Sequence, residues 1–111
     1  MHDPIFLVFV TFPDIATARH IGTELVARQC AACVNLLPAT ESIYRWEGEL
    51  CRQPEVVALI KTTRRVLPTL EAAIHDLHPY ACPELLAIEV VAGLPAYLQW
   101  VANAVGHGSG G

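Results

Sequence analysis

The sequence predicts an α+β fold: a ferredoxin-like, split βαβ sandwich with an antiparallel sheet, a long hairpin between its second and third strands, and an extra C-terminal helix. Apolar runs of strand length alternate with stretches whose apolar residues repeat at helical spacing, in the order strand, helix, strand, strand, helix, strand, helix. A chain of 111 residues can fill only one two-layer core. We therefore expect one domain over residues 1–105 and a flexible, glycine-rich tail at 106–111.

A change of pattern marks the first strand and helix. The unbroken apolar run at 5–10 is typical of a central strand that is covered on both faces or nearly so. Asp14 follows a proline and can cap a helix that runs to about Gln29. The apolar residues of this helix are Ala18, Ile21, Leu25 and Val26.

The next segment predicts a hairpin. Pro38 interrupts the second strand, so we expect a bent or bulged strand over 32–37 and 42–46. The turn glycine Gly48 leads into a third strand at 56–61. The two strands form a long hairpin whose tip is expected to be polar and exposed.

The second half of the chain predicts a helix, a stiff connection and a strand. Thr62 or Thr63 is expected to cap the second helix, whose regular part begins near Pro68. Its apolar stripe consists of Leu67, Leu70, Ala73, Ile74 and Leu77. The connection at 78–83 holds two prolines and leads to a last strand at 84–91.

The last helix completes the fold and raises the question of assembly. It opens at Gly93, Leu94 and Pro95, and its apolar face consists of Leu98, Val101, Ala102 and Val105. Helices in a split βαβ sandwich cover one face of the sheet. The strands here are apolar at most positions, so the other face needs cover from another chain. The sequence therefore predicts an oligomer.

Composition excludes several classes of function. With 53% hydrophobic residues, 16% charged residues and a mean hydropathy of +0.39, the chain is too apolar to be intrinsically disordered. A formal charge of -4 and seven scattered basic residues leave no basic patch for nucleic acid. No apolar run approaches the roughly 20 residues that span a bilayer. The N-terminus lacks the basic segment of a secretory signal, so we expect a cytoplasmic protein with no membrane partner.

The sequence carries no strong sign of an enzyme. We find no nucleophile elbow, phosphate loop, HExxH motif or persuasive carboxylate pair. Cys30 and Cys33 form a CxxC that could bind zinc or exchange thiols. Cys30, however, falls near the end of a helix, where the dipole does not activate a thiol, so we expect it to pack in the core. A thiol oxidoreductase is a third hypothesis, and the role of Cys51 is left open.

Three side chains on one rigid segment are the best local candidates for a metal site. His78, Cys82 and Glu84 supply an imidazole, a thiol and a carboxylate. In an alternative interpretation, His78 ends the second helix and interacts with its last carbonyls. Cys33 starts the second strand, where its thiolate could meet groups from another subunit, although packing is the alternative.

Several motifs occur in order and together resemble the CutA family, also called the divalent-cation tolerance proteins. They are AACVN at 31–35, SIYRWEG at 42–48, Lys61-Thr62, His78-Pro79-Tyr80 and Pro83-Glu84. The resemblance extends from the first strand to AYLQW at 96–100. It implies a homotrimer of ferredoxin-like subunits, with hairpins crossing between neighbours and clefts at the subunit interfaces. It also implies copper or another divalent metal ion as the bound species, with Cys33 as a candidate contact.

The resemblance also implies a ligand cleft. In the family an aromatic and charged group lies near the cleft between subunits, and here it is matched by Tyr44, Trp46, Lys61 and Tyr80, together with Glu84. Such a group could hold a small anionic or aromatic ligand. Alternatively, the rings are buried in the subunit interface, where the polar tip of a tyrosine or tryptophan still finds a partner.

Two functional hypotheses follow. The first is a trimeric cytosolic protein of divalent-cation tolerance that binds copper or other divalent ions. The second is a trimeric signalling or scaffold module, similar in architecture to the PII proteins, that binds a small metabolite or a partner protein in its clefts. The chain departs from the family pattern at Pro68, Ala81 and Cys82, so we expect any metal site to be peculiar to it.

Overall fold

The computed structural model describes residues 3–106, and it has the predicted elements in the predicted order. They are β1 (Ile5–Phe12), α1 (Ile15–Ala27), β2 (Cys33–Trp46), β3 (Glu49–Thr63), α2 (Leu67–Leu77), β4 (Leu85–Glu89) and α3 (Pro95–Ala104). No helix in this part of the chain is long and apolar enough to cross a membrane. Most of the expected glycine-rich tail, residues 107–111, lies outside the described residues.

The sheet confirms the predicted α+β, split βαβ topology. Its strand order is β2-β3-β1-β4, and every neighbouring pair is antiparallel. Alternate residues of a strand point to opposite faces, and Val8, Val10 and Phe12 of β1 point toward α1 and α2. The remaining fully buried members of this core are Ala18, Ile21, Leu25, Ala31, Ala58, Ile60, Leu70 and Ile74.

The first helix begins as predicted and ends early. The Asp14 carboxylate accepts the N–H of Thr17 at 2.7 Å, and this bond lowers the pKa of the carboxyl group. The helix stops at Ala27, before the predicted end at Gln29, because Gln29 has a φ of 60°. A residue in the left-handed region cannot continue a right-handed helix, so the chain turns here toward β2.

The hairpin is longer than the sequence indicated. β2 continues through Pro38 with a bulge between Leu37 and Thr40, which confirms the prediction of a bent or bulged strand. Ala39, within the bulge, has a φ of 62°. Backbone pairing with β2 extends β3 well before its apolar run at 56–61. The turn residues Glu47 and Gly48 are exposed as predicted, but Trp46 and Leu50 beside them are exposed as well, so the tip is apolar in part.

The turn at the hairpin tip depends on backbone conformation. Trp46 pairs with Glu49, so only Glu47 and Gly48 form the loop, and both have positive φ, 49° and 80°. A two-residue loop of this kind matches the twist of the strands that it joins. Gly48 adopts this conformation without the strain that a side chain would add.

The second helix confirms one expectation and corrects another. Pro68 lies in its first turn, where its missing N–H costs nothing. The predicted threonine cap is wrong, because the N-cap is Val66. Thr62 lies within β3, fully buried, and its hydroxyl donates to the carbonyl of Cys30.

The third helix lies on the other face of the sheet and covers only one end of it. Val101 and Val105 form a second core with Ile5, whose side chain points away from α1 and α2. Beyond this end, no element within residues 3–106 covers Leu86 and Ile88, which are 58% and 60% exposed. The expectation that the helices cover one face only is therefore wrong for α3, but an apolar part of the second face is left uncovered, as the sequence predicted.

Leu25 tests the packing of α1 against the sheet. Its side chain is 0% exposed, whereas the adjacent Val26 is 42% exposed. Leu25→Ala is expected to lower the free energy of unfolding by about 2 to 5 kcal/mol, because it leaves a cavity in the core. Denaturant unfolding at equal protein concentration measures the change. Val26→Ala is the matched control, and equal losses in the two variants would contradict the packing described here.

Candidate functional site

A cleft of about 690 Å³ lies between the hairpin and the loop that joins α2 to β4. It brings together five residues that the sequence had placed in two separate groups: Tyr44 and Trp46 from β2, and Tyr80, Cys82 and Glu84 from the loop. Three of the four predicted cleft residues and two of the four predicted metal ligands therefore line one cavity within a single chain.

His78 lies buried behind the cleft and uses both of its ring nitrogens within the protein. Its Nε2 lies 2.7 Å from the carbonyl oxygen of Thr11, which can only accept, so Nε2 carries the proton. Its Nδ1 accepts the backbone N–H of Tyr80 at 3.1 Å, and its ring stacks on Phe12 with centroids 4.9 Å apart. As placed, the imidazole fixes the start of the loop and has no free lone pair for a metal ion. As the alternative interpretation expected, His78 also ends α2: it is the C-cap, and its backbone N–H donates to the carbonyl of Ile74 at 2.8 Å, while its imidazole bonds to β1.

Tyr80 extends this chain of contacts to a residue that sequence reasoning missed. Its hydroxyl donates to Oε2 of Glu55 at 3.1 Å. Burial, together with the Glu55 carboxylate, raises the pKa of the Tyr80 phenol, so the phenol stays a neutral donor. Glu55 is only 9% exposed, although it is a charged residue. The available signal was a lone acidic residue directly before the apolar run of the third strand.

Within one chain the lining of the cleft is acidic, which favours a cationic ligand over the anionic ligand considered from the sequence. Its lining includes the carboxylates of Glu55 and Glu84 and the thiol of Cys82, and no lysine or arginine. Lys61, predicted to belong to the cleft, pairs with Leu7 of β1, six residues along β3 from Glu55. This places it about 20 Å from Glu55 along the strand of the same chain.

Lys61 instead lies beside another predicted metal ligand. Its ammonium donates to Oδ1 of Asn35 and approaches Sγ of Cys33 at 3.7 Å. Burial and the neighbouring Cys33 sulfur raise the pKa of the Tyr97 phenol. An ammonium group this close to the sulfur repels a metal cation, so Lys61 must move before Cys33 can bind one.

The four predicted metal ligands are thus not brought together within one chain. Cys82 and Glu84 line the cleft, His78 lies behind it, and Cys33 lies at the start of β2. Among residues 3–106, no group of three His, Cys, Asp or Glu residues is arranged to hold a metal ion. Cys30 is buried in the core as expected, and burial raises the pKa of its thiol. This is opposite to the lowered thiol pKa that an oxidoreductase needs.

The bond between Tyr80 and Glu55 predicts a loss of stability at alkaline pH. The phenol's pKa lies above the ordinary 10.0, so its ionisation costs more in the folded chain than in the unfolded chain. Its contribution to stability is fully present below pH 10.0 and is lost as the pH rises through the folded-state pKa. Tyr80→Phe is expected to unfold with a weaker dependence on alkaline pH. Denaturant midpoints across this range measure it.

Tyr44→Phe is the control for this prediction, because it removes a phenol of the same cleft and leaves the bond between Tyr80 and Glu55 intact. If Tyr80→Phe and the unaltered protein lose stability equally as the pH rises, the assignment of this effect to Tyr80 is wrong.

Comparison with known proteins identifies the family. Residues 6–104 match the family model described as CutA1 divalent ion tolerance protein. The divalent-cation tolerance protein CutA of Thermus thermophilus is 40% identical over 100 residues, 90% of this chain and 97% of that protein. Protein CutA of Mus musculus is 41% identical over 93 residues, which cover 84% of this chain and 52% of the mouse protein. The chain therefore spans about half the length of that relative.

Solved structures agree with the sequence comparison. The divalent cation tolerance protein from Thermus thermophilus superposes with a TM-score of 0.90 at 39% identity, covering 92% of this chain and 99% of that one. CutA1 from Oryza sativa superposes with a TM-score of 0.92 at 31% identity, covering 95% and 96%. The family's name describes tolerance of divalent ions and no chemical reaction. Because both sequence and fold match over most of its length, this chain belongs to the CutA1 family of divalent-ion tolerance proteins.

Proposed function

We propose that this protein acts in divalent-cation tolerance as a homotrimer whose clefts bind a divalent cation, with copper as the first candidate. The observation that carries this proposal is the charge of the cleft. Two carboxylates and a thiol line it, and no lysine or arginine among residues 3–106 belongs to its lining. A site of negative charge attracts cations and disfavours anions.

The donor atoms of the cleft suit a metal ion that is bound and released. Cys82 is exposed and supplies a soft sulfur ligand, and Glu84 supplies oxygen ligands on the same loop. We assign the first metal contacts to these two residues. His78 and Cys33 are further candidates for metal contacts. His78 must first break its hydrogen bond to the carbonyl of Thr11, and Cys33 must first separate from the ammonium of Lys61.

The uncovered sheet face supports the trimer. Leu86 and Ile88 of β4 are exposed on it, and Leu37 of β2 is 44% exposed. Apolar patches of this kind on a folded chain mark surfaces that associate with another protein. β2 and β4 are also the two edge strands of the sheet, which leaves backbone groups open to pairing with a neighbour.

The state of the cysteines supports a cytosolic location. All four cysteines are free thiols in the structure. A reducing compartment keeps them so, and the proposed metal contact of Cys82 requires a thiolate.

A second candidate function is supported by the size of the cleft. Its volume of about 690 Å³ lies in the range of small-molecule sites and far exceeds that of a metal ion. Tyr44, Trp46 and Tyr80 add aromatic surface that a metal ion does not need. A trimeric signalling or scaffold module that binds a small metabolite in the cleft fits this observation.

Ile88 tests the proposed association. Ile88→Asp places a charge on the uncovered sheet face and is expected to convert the trimer to monomers, because burying that charge is costly. Light scattering coupled to size-exclusion chromatography measures the mass. Val26→Asp, on α1, introduces the same charge elsewhere and is expected to leave the trimer intact. A monomeric unaltered protein, or a trimeric Ile88→Asp variant, would show that this face does not build a trimer.

Native mass spectrometry tests the proposed metal site. The reduced protein is titrated with Cu(I), Cu(II) and Zn(II) against a competing chelator, and one ion per cleft is expected. Cys82→Ser and Glu84→Gln should each weaken binding, because each removes a donor atom from the cleft. The same titration of Cys33→Ser and His78→Gln decides whether those residues are ligands.

Cys51→Ser and Glu71→Gln are the matched controls for this titration, because both residues lie outside the lining of the cleft. A trimer that takes up no ion would remove the metal site from the proposal. Unchanged affinity in both cleft variants would show that the ion binds elsewhere.

A further inference from the structure

Glu55 is a nearly buried carboxylate with no positive charge beside it. It is 9% exposed, and Tyr80 supplies a neutral hydrogen bond to its Oε2. No lysine, arginine or histidine forms an ion pair with it among residues 3–106, and no donor in that part of the chain bonds its Oε1. Burial takes water from a carboxylate, and without a cation beside it that loss carries a free-energy cost. A positively charged ligand in the cleft would offset that cost.

The rest of the lining selects among cations. Tyr44, Trp46 and Tyr80 surround the same cavity, and Ile43 adds aliphatic surface. The faces of aromatic rings attract organic cations, and they also bury the apolar part of a ligand. A bare metal ion would leave this surface unused.

We propose that the cleft binds a primary organic ammonium ion that carries an aromatic or other apolar group. The ammonium donates a hydrogen bond to the open Oε1 of Glu55, Glu84 adds negative charge, and the apolar group lies against Trp46 and Tyr44. A primary ammonium needs acceptors for its three N–H groups rather than a closed shell of metal ligands. This inference deepens the second candidate function and rests on it, since it names the chemical class of the small metabolite.

Benzylammonium is a suitable probe, with benzyl alcohol and benzoate as its neutral and anionic counterparts. All three carry the same phenyl ring, so differences in affinity report on charge. Each is titrated into the unaltered chain of 111 residues in the presence of a metal chelator and followed by ¹H–¹⁵N NMR. The chain has two tryptophans, so the indole N–H signal of Trp46 can be assigned with a Trp46→Leu variant. Benzylammonium is expected to shift the Trp46 signal and to leave the Trp100 signal in place, since Trp100 lies on α3 outside the cleft.

Two matched pairs of variants assign the binding to the cleft. Glu55→Gln keeps an acceptor for Tyr80 and removes the charge, and it is expected to weaken binding by about tenfold or more. Glu71→Gln removes the same charge from an exposed site on α2 and should leave the affinity unchanged. Trp46→Leu should weaken binding several-fold, whereas Trp100→Leu should not.

Comparison of the three probes on the unaltered protein tests the inference even if a variant fails to fold. Equal binding of benzyl alcohol and benzylammonium would overturn the inference, as would no binding of benzylammonium or an unchanged affinity in folded Glu55→Gln. If benzoate or benzyl alcohol binds and benzylammonium does not, the cleft takes a small molecule but this inference is wrong. A protein that binds copper and not benzylammonium would keep the metal proposal and overturn this one.

Discussion

The unequal pairing of β3 is the constraint on which the rest of the structure depends. Residues 57–61 pair with both β1 and β2, whereas Glu49 to Glu55 pair with β2 alone. The hairpin therefore leaves the four-stranded sheet at Glu55. The bulge at Ala39 bends β2 at the same level, and the hydroxyl of Thr40 donates to the carbonyl of Glu55. The cleft opens where the hairpin leaves the sheet. Glu55 lies at the base of the cleft, at the point where β3 no longer has β1 as a neighbour.

His78, a residue of a family motif, positions the loop between α2 and β4 rather than lining the cleft itself. Its imidazole bridges the carbonyl of Thr11 and the N–H of Tyr80, so the end of β1 sets the place of the loop. The loop in turn sets the Tyr80 phenol against Glu55. Only a neutral imidazole with its proton on Nε2 satisfies both neighbours. The histidine thereby fixes the geometry of the cleft from behind, without entering it.

The molecule separates its apolar and acidic surfaces. The uncovered face of the sheet presents Leu86 and Ile88, and the cleft presents Glu84 and Glu55 close to aromatic rings. The first surface favours association through the hydrophobic effect, and the second favours a cationic ligand through charge. Because the two surfaces are chemically different, association and binding can be altered by different substitutions.

The sequence by itself determined the order of the elements, the cap at Asp14, the bulge near Pro38 and the apolar stripes of the helices, since each depends on residues that are neighbours in the chain. It also singled out Cys82 and Glu84 as a local group, and the family resemblance added Tyr44, Trp46 and Tyr80 as a second group. Only the tertiary structure joined these groups, placed Lys61 at a distance and revealed Glu55. The bond from Tyr80 to Glu55 spans 25 residues and that from His78 to Thr11 spans 67. The partner of a buried polar group depends on strand register and loop path, which local spacing does not encode.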